Sequence, residues 1–481
     1  MFERLYRHVI RPRASLFLRL CVCSLLLTSQ PAFADPGTID RLLEIPALRG
    51  GVTGCLVESL DDHKVVYERD ADLRLMPASN RKLFTTAAVL GLLGPDFAIS
   101  TPVLAAGPPD ATGTVTGDAY LRGAGDSALG PADLDTLAKA VAAGGVKHIA
   151  GGIVGDGGVF EDGPYGTNWG WDTLNDDYAP AIDGLDANDG VVTIDVTPGA
   201  SAGAPASYTI DPPTSVQPID DEATTVVAGG PVDVTVRHPW RKDVIVIAGA
   251  VPVGGHKRVE IPVADPVLFT ADLFRSALVK AGVTVDGPAS TGQTPSTAST
   301  VLAAHKSPPM SAYVALMNKP SDNLLAESLI RVIGVAKSGH GTYDAGDDAE
   351  MAYFKSAGLD VADITLDDGS GVSRRNYVTA RSVVDLLVYE TGQPTFAAFL
   401  DSLPVAGVDG TLRHRFKGTA GASNVRAKTG TLTGAAALSG YFTGKSGRRY
   451  AFSLIMNNYT GTADEVRDVQ DNVVVDLIDT L

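Results

Sequence analysis

The sequence predicts a mixed α/β (α+β) protein: a helix-and-sheet domain interrupted by a long β-rich insertion. Three observations predict it. Helical periodicity dominates near residues 79–93 and again from residue 266 onward. Between them, residues 100–265 turn to short Val-, Thr- and Ile-containing runs separated by Gly, Pro and Asp. Three strand-like runs, starting at Val425, Ala435 and Tyr450, form an antiparallel meander near the end. Separate domains in tandem are the alternative. The choice depends on whether the two flanks build one site.

Composition narrows the class. The chain has 481 residues, 44% hydrophobic and 20% charged, enough for two or three domains. Its net charge of −17 argues against a nucleic-acid partner, whose phosphates it would repel. Residues 1–34 read as an export signal: Arg4, Arg7, Arg11, Arg13 and Arg19 precede an apolar core from Leu20 to Leu27, and Ala32–Phe33–Ala34 is a cleavage site. An uncleaved anchor is the other reading. Cleavage takes Cys21 and Cys23 away and leaves Cys55, expected to be a buried strand residue. That rules out an intrachain disulfide and a cysteine metal site. The eight histidines show no metal-ligand spacing either, so neither metal nor cofactor is expected.

In order, residues 50–58 and 64–68 alternate as a hairpin around Asp61–Asp62. A helix follows from about 79 to 93 and stops at Gly94–Pro95. One helical pattern, Pro131 to Ala143, interrupts the β-rich centre, where Val191–Val196 and Asp243–Ile247 read as strands. Helix returns from Pro266 to Ala281, and the Pro/Ser/Thr-rich stretch 287–300 is expected to be a mobile loop.

Three short motifs carry chemistry. Ser79 and Lys82 stand three apart at a helix start, on one face, so hydroxyl and amine can meet. The N-terminal N–H groups there favour developing negative charge, which suits an acyl-transfer nucleophile. The other reading is a surface pair on an ordinary helix. Ser321–Asp322–Asn323 follows Pro320, with Ser321 expected at the N-cap; here a plain cap competes with a hydroxyl and amide facing the Ser/Lys pair. Lys428–Thr429–Gly430–Thr431 lies on a strand. Its Lys and Thr point to opposite faces, and Gly430 is expected to let a substrate backbone dock at the strand edge. An ordinary hairpin strand is the competing reading.

Together, S-x-x-K, S-D-N and K-T-G in this order resemble the active-site-serine penicillin-recognising enzymes. The spacing, Ser79 to Ser321 and then to Lys428, and longer blocks such as Asp367–Arg374 and Leu403–Leu412, are similar to D-alanyl-D-alanine carboxypeptidases/endopeptidases of the penicillin-binding protein 4 type, peptidase family S13. The resemblance covers most of the chain after residue 34. It implies a serine β-lactamase/D,D-peptidase-like catalytic domain from residues 35–98 and 265–481, an inserted second domain from 99–187 and 248–264, and a third from 188–247.

It also implies a mechanism. Ser79 attacks the carbonyl between two D-alanines of a peptidoglycan stem peptide, and Lys82 takes its proton if burial and neighbouring Lys428 keep it neutral. Ser321 relays the proton to the leaving D-alanine. Asn323 holds the substrate backbone or Lys82. Lys428 and Thr429 bind the terminal carboxylate, and the N–H groups of Ser79 and Thr431 bind the oxyanion. Asp156 resembles a position that reaches the amino end of a stem side chain; a turn aspartate is its other reading. Expected partners are stem peptides and, as inhibitors, β-lactams. Expected location is extracytoplasmic, with at most peripheral membrane association. A β-lactamase or esterase on the same fold, or a catalytically idle wall-binding protein, are the competing functions.

Overall fold

The computed structural model describes residues 36–239 and 242–481; the expected export signal, with Cys21 and Cys23, lies outside them. A five-stranded antiparallel sheet joins the two ends of the described chain. Its order is Arg426–Leu432, Ala435–Thr443, Arg449–Asn457, Val52–Ser59, Val65–Arg69. The early hairpin docks on the late meander through eight residue pairs, from Val52 opposite Asn457 to Ser59 opposite Tyr450. Both flanks therefore contribute to one sheet.

Both faces of this sheet are covered, which explains why Ala435–Thr443 is buried along nearly its whole length. Alternate residues serve opposite cores. Leu56, Ala437, Ala451 and Ile455 pack with the helices Arg81–Leu92, Asn323–Ser338 and Ala380–Thr391. Cys55, Val57, Leu438 and Leu454 pack with the last helix, Ala463–Thr480. Cys55 is a buried strand residue, as its apolar run predicts.

The β-rich centre builds separate sheets. Ala289–Thr291, Ile153–Asp156, Ala119–Arg122, Ser100–Ala105 and Thr300–Lys306 form a mixed five-stranded sheet, in that order. Val191–Thr197 lies between Ser207–Asp211 and Lys257–Pro262, and Ile245–Pro252 is the hub of a further four-stranded sheet.

These pairings run across two of the expected boundaries. Residues 265–306 do not join the terminal sheet: Thr300–Lys306 pairs with Ser100–Ala105, and the helix Pro266–Lys280 packs on Pro131–Ala143. Residues 248–264 do not join the 99–187 segment: Ile245–Pro252 pairs with Asp233–Arg237, and Lys257–Pro262 with Val191–Thr197. The stretch 287–300 is not all loop, since Ala289–Thr291 adds a parallel strand beside Ile153–Asp156.

The insertion is tied back to the terminal region. Arg331, fully buried on the helix Asn323–Ser338, donates to the carbonyls of Ile182 (3.3 Å) and Gly163 (2.8 Å) and faces Asp162 at 3.2 Å. Its guanidinium stacks on Tyr343 and Phe160. A second buried arginine holds the first helix in place. Arg81 pairs with buried Glu350 through two nitrogens, at 2.8 and 2.6 Å, and donates to the Asp368 carbonyl at 2.7 Å.

Removing one partner of a buried pair leaves the other charge unsatisfied. Arg81→Ala is therefore expected to lower unfolding free energy by about 3–5 kcal/mol in urea titration. A loss below about 1 kcal/mol would contradict the buried pair.

Candidate active site

The seat of Ser79 is a single 3-10 turn, Ala78–Asn80, before the helix Arg81–Leu92 proper. The helix thus starts two residues later than its periodicity predicts. Ala78 holds φ +46°, a left-handed conformation that costs a residue with a Cβ roughly 1–3 kcal/mol and persists where surroundings impose it. The surroundings do. Asn80 donates to Ser439 Oγ at 2.6 Å, and Asn457 clamps the Met76 backbone at both N–H (2.7 Å) and C=O (3.1 Å). The serine turn is bolted to the middle strands of the sheet.

Lys82 is fully buried one turn on. Its Nζ donates to Ser79 Oγ (3.1 Å), Asn323 Oδ1 (2.6 Å) and the Ser370 carbonyl (2.9 Å). Burial lowers its pKa to about 8, against the pull of Asp368, Glu327 and Asp322. Arg81 adds a smaller push downward. Lys428 is held well below the usual lysine range by burial and then by repulsion from Lys82, an interaction the two amines share.

Ser321 lies outside the cap. Asp322 caps the helix Asn323–Ser338 by accepting from Leu325 N at 2.8 Å. Ser321, one residue earlier, takes φ +71°, and its hydroxyl accepts from Lys428 Nζ at 2.8 Å. Two adjacent cap-type residues divide the work, and Ser321 is freed from its expected place. Lys428 also reaches its neighbour's carbonyl, Thr429 O, at 3.0 Å.

The strand carrying Lys428 is the edge of the sheet. Ala427 donates its N–H outward to Pro404 O at 3.1 Å, so by the period of two the N–H groups of Thr429 and Thr431 face the same open side. Gly430 faces the other way. A Cβ there would lie 2.5 Å from Pro77 O and 3.0 Å from Ser79 N. Its lack of a side chain lets the strand close on the serine turn.

Several contributors had no sequence signal as single residues. Asp368 is fully buried and folds the 368–376 loop by accepting from Gly371 N (2.8 Å), Ser373 N (2.6 Å), Asn376 Nδ2 (2.8 Å) and Trp169 Nε1 (3.1 Å). That loop presents the Ser370 carbonyl to Lys82. Gly371, at φ +91°, passes so close to Ala78 that a Cβ would sit 2.0 Å from its carbonyl oxygen. The insertion also reaches the site: Asn323 Nδ2 donates to Tyr178 O at 2.7 Å, which turns its Oδ1 toward Lys82.

Two clefts meet at Ser79 and Ser321. One, about 750 Å³, is lined by Trp171, Asp172, Asp176, Tyr178 and Arg374. The other, about 560 Å³, runs along Thr429 and Thr431 to Thr411, Arg413 and Arg467. Asp156 lines neither. It ends the strand Ile153–Asp156, its carboxylate accepts from Gly158 N (3.0 Å) and Thr294 N (2.8 Å), and it borders a different cleft with Asp183 and Asp265.

Comparison with known proteins gives a family and a fold. The family described as "D-Ala-D-Ala carboxypeptidase 3 (S13) family" matches residues 36–478. A D-alanyl-D-alanine carboxypeptidase from Actinomadura sp. is 37% identical over 94% of this chain and 87% of its own. The solved structure of penicillin binding protein 4 from Haemophilus influenzae has a similar fold, with TM-score 0.81 and 22% identity over 91% of this chain and 98% of that one. The same protein complexed with a β-lactam gives TM-score 0.75 and 21% identity, over 92% and 99%.

Gly430→Ala tests the close approach of strand and turn. The added methyl has no room, and overpacking of this kind costs about 1–3 kcal/mol. The expected outcome is a lower melting temperature. An unchanged one would mean that the strand does not close on the turn.

Proposed function

The chain belongs to the D-Ala-D-Ala carboxypeptidase family S13, and we propose that Ser79 is the nucleophile with which it acts as a serine-type D-Ala-D-Ala carboxypeptidase. Endopeptidase cleavage of cross-linked stem peptides is the same reaction with a larger leaving group. The observation that carries the reading is the 3.1 Å contact between Ser79 Oγ and a buried Lys82 amine whose pKa is lowered to about 8. An amine so placed is neutral often enough near neutral pH to accept the serine proton.

In this reading Ser79 Oγ attacks the carbonyl of the penultimate D-alanine, and its proton passes to Lys82 Nζ. The oxyanion rests between the N–H groups of Ser79 and Thr431, where losing one donor typically costs about 3–4 kcal/mol. Ser321, aligned by Lys428, relays the proton: it gives its own to the leaving nitrogen and takes the one held by Lys82, which returns to the neutral amine. Asn323 fixes Lys82 from one side while its amide N–H is held by Tyr178. Lys428 and Thr429 face the terminal carboxylate. Water then releases the acyl group. A β-lactam acylates the same serine and stays, because its leaving group remains tethered.

Peptidoglycan stem peptides are the substrate class. The carboxylates of Asp172 and Asp176 in the larger cleft favour an ammonium on the stem side chain, the role first expected of Asp156. The export signal of residues 1–34 supports an extracytoplasmic location; among the described residues no helix is long and apolar enough to cross a membrane. Strand pairing supports an insertion made of 99–187 with 265–306, and of 188–264. Nothing favours the β-lactamase, esterase or idle-protein alternatives, and the idle reading sits poorly with five motif side chains that hydrogen-bond one another.

The test is D-alanine release from an N-acyl-D-Ala-D-Ala peptide as a function of pH. Because burial lowers the Lys82 pKa, its neutral form grows as pH rises. Release per enzyme at low substrate is therefore expected to climb through about pH 8 and level above it. Ser79→Ala should reduce release by on the order of 10⁶-fold, to background. Release that persists in that variant would overturn the assignment of the nucleophile.

A further inference from the structure

The smaller cleft holds a cation that the mechanism above does not use. We propose that Arg413, with Thr411 and Arg467 beside it, recognises the α-carboxylate of the leaving residue. This rests on the carboxypeptidase reading of the same site.

Lys428, the obvious cation, does not line this cleft. It is fully buried, and its Nζ is committed to Ser321 Oγ and Thr429 O. The anion still needs a positive partner, because the leaving residue carries its carboxylate on the carbon bonded to the departing nitrogen. That partner must line the cleft where Ser79, Ser321 and Thr429 meet. Arg413 does. Among the cleft's arginines, Arg415 is paired with Asp471 at 2.6 Å and Arg467 with Asp464 at 2.8 Å. Arg413 has no carboxylate partner among the described residues; it donates only to His414 Nε2 (3.1 Å) and, weakly, to Gly410 O (3.5 Å). Asp468 also lines the cleft and pairs directly with none of the three.

The hydroxyls are arranged to donate as well. Thr411 Oγ1 accepts from Thr429 Oγ1 at 2.8 Å, and Thr431 Oγ1 accepts from Arg467 Nη2 at 3.2 Å. Each accepting hydroxyl keeps its own proton for a further acceptor. Together with a guanidinium, whose fork matches a carboxylate, they make an anion cradle.

The loop is also held firmly. Gly410, at φ +56°, lies so close to Lys319 that a Cβ would sit 2.6 Å from its carbonyl oxygen. Thr411 N donates to the same carbonyl at 3.0 Å. Lys319 in turn grips Asp409 at 2.8 Å. This gives the Leu403–Leu412 block, otherwise without a role in the chemistry, a reason for its form.

Two substrates separate carboxylate recognition from a general defect: an N-acyl-D-Ala-D-lactate depsipeptide, and the ethyl ester of the same acyl-D-alanine, which lacks the carboxylate. The readout is the ratio of their kcat/KM values. In Arg413→Ala the ratio is expected to fall roughly 10- to 100-fold in favour of the ester. Arg413→Lys should recover part of it, and melting temperatures should match, since Arg413 is exposed. An unchanged ratio, whether both substrates fall together or neither does, would overturn the proposal. Wild-type protein that cleaves neither, and releases no D-alanine, would instead overturn the functional reading beneath it.

Discussion

A lysine amine taken out of water must find oxygen partners or give up its proton. Lys82 is held between those outcomes. Three oxygens, from Ser79, Asn323 and Ser370, surround its nitrogen, and full burial still lowers its pKa to about 8. With fewer partners the amine would be permanently neutral and poorly placed. With an adjacent carboxylate pair it would stay charged.

Much of the surrounding structure fixes those three oxygens. Asp368 folds the loop that presents Ser370, and Gly371 lets that loop reach the serine turn. Arg81 fastens the same loop to the helix through the Asp368 carbonyl while its charge is met by Glu350. Tyr178, from the insertion, sets the Asn323 amide. Ala78 and Ser321 both occupy left-handed backbone, and each flanks or carries a hydroxyl that meets a buried lysine amine. Strain collects here because sheet contacts and helix caps impose it.

What was legible in the sequence follows from the range of the interactions. Ser79 and Lys82 share one helix face, so local geometry brings them together. The meander and its Lys428 edge were readable from alternation and turn residues. Ser321 was misplaced by one residue, because Asp322 is an equally good cap and the competition depends on where Lys428 lies. Gly430 was recognised as a close-approach position, but what approaches is Pro77 and Ser79, far away in sequence. The Ser370 carbonyl has no side-chain signature at all. The insertion's limits were hard to read for a similar reason: the partner of Thr300–Lys306, Ser100–Ala105, lies about two hundred residues earlier. Asp156 rested on resemblance; it ends the strand Ile153–Asp156, and its carboxylate accepts from the backbone N–H groups of Gly158 and Thr294.

The most direct measurement is intact mass spectrometry of the protein after brief exposure to benzylpenicillin, followed by peptide mapping. A buried Lys82 that activates Ser79 predicts one stable adduct with the mass of the whole β-lactam, carried by Ser79 and absent from Ser79→Ala. An adduct on another residue, or an unmodified folded protein with the drug intact, would contradict the account.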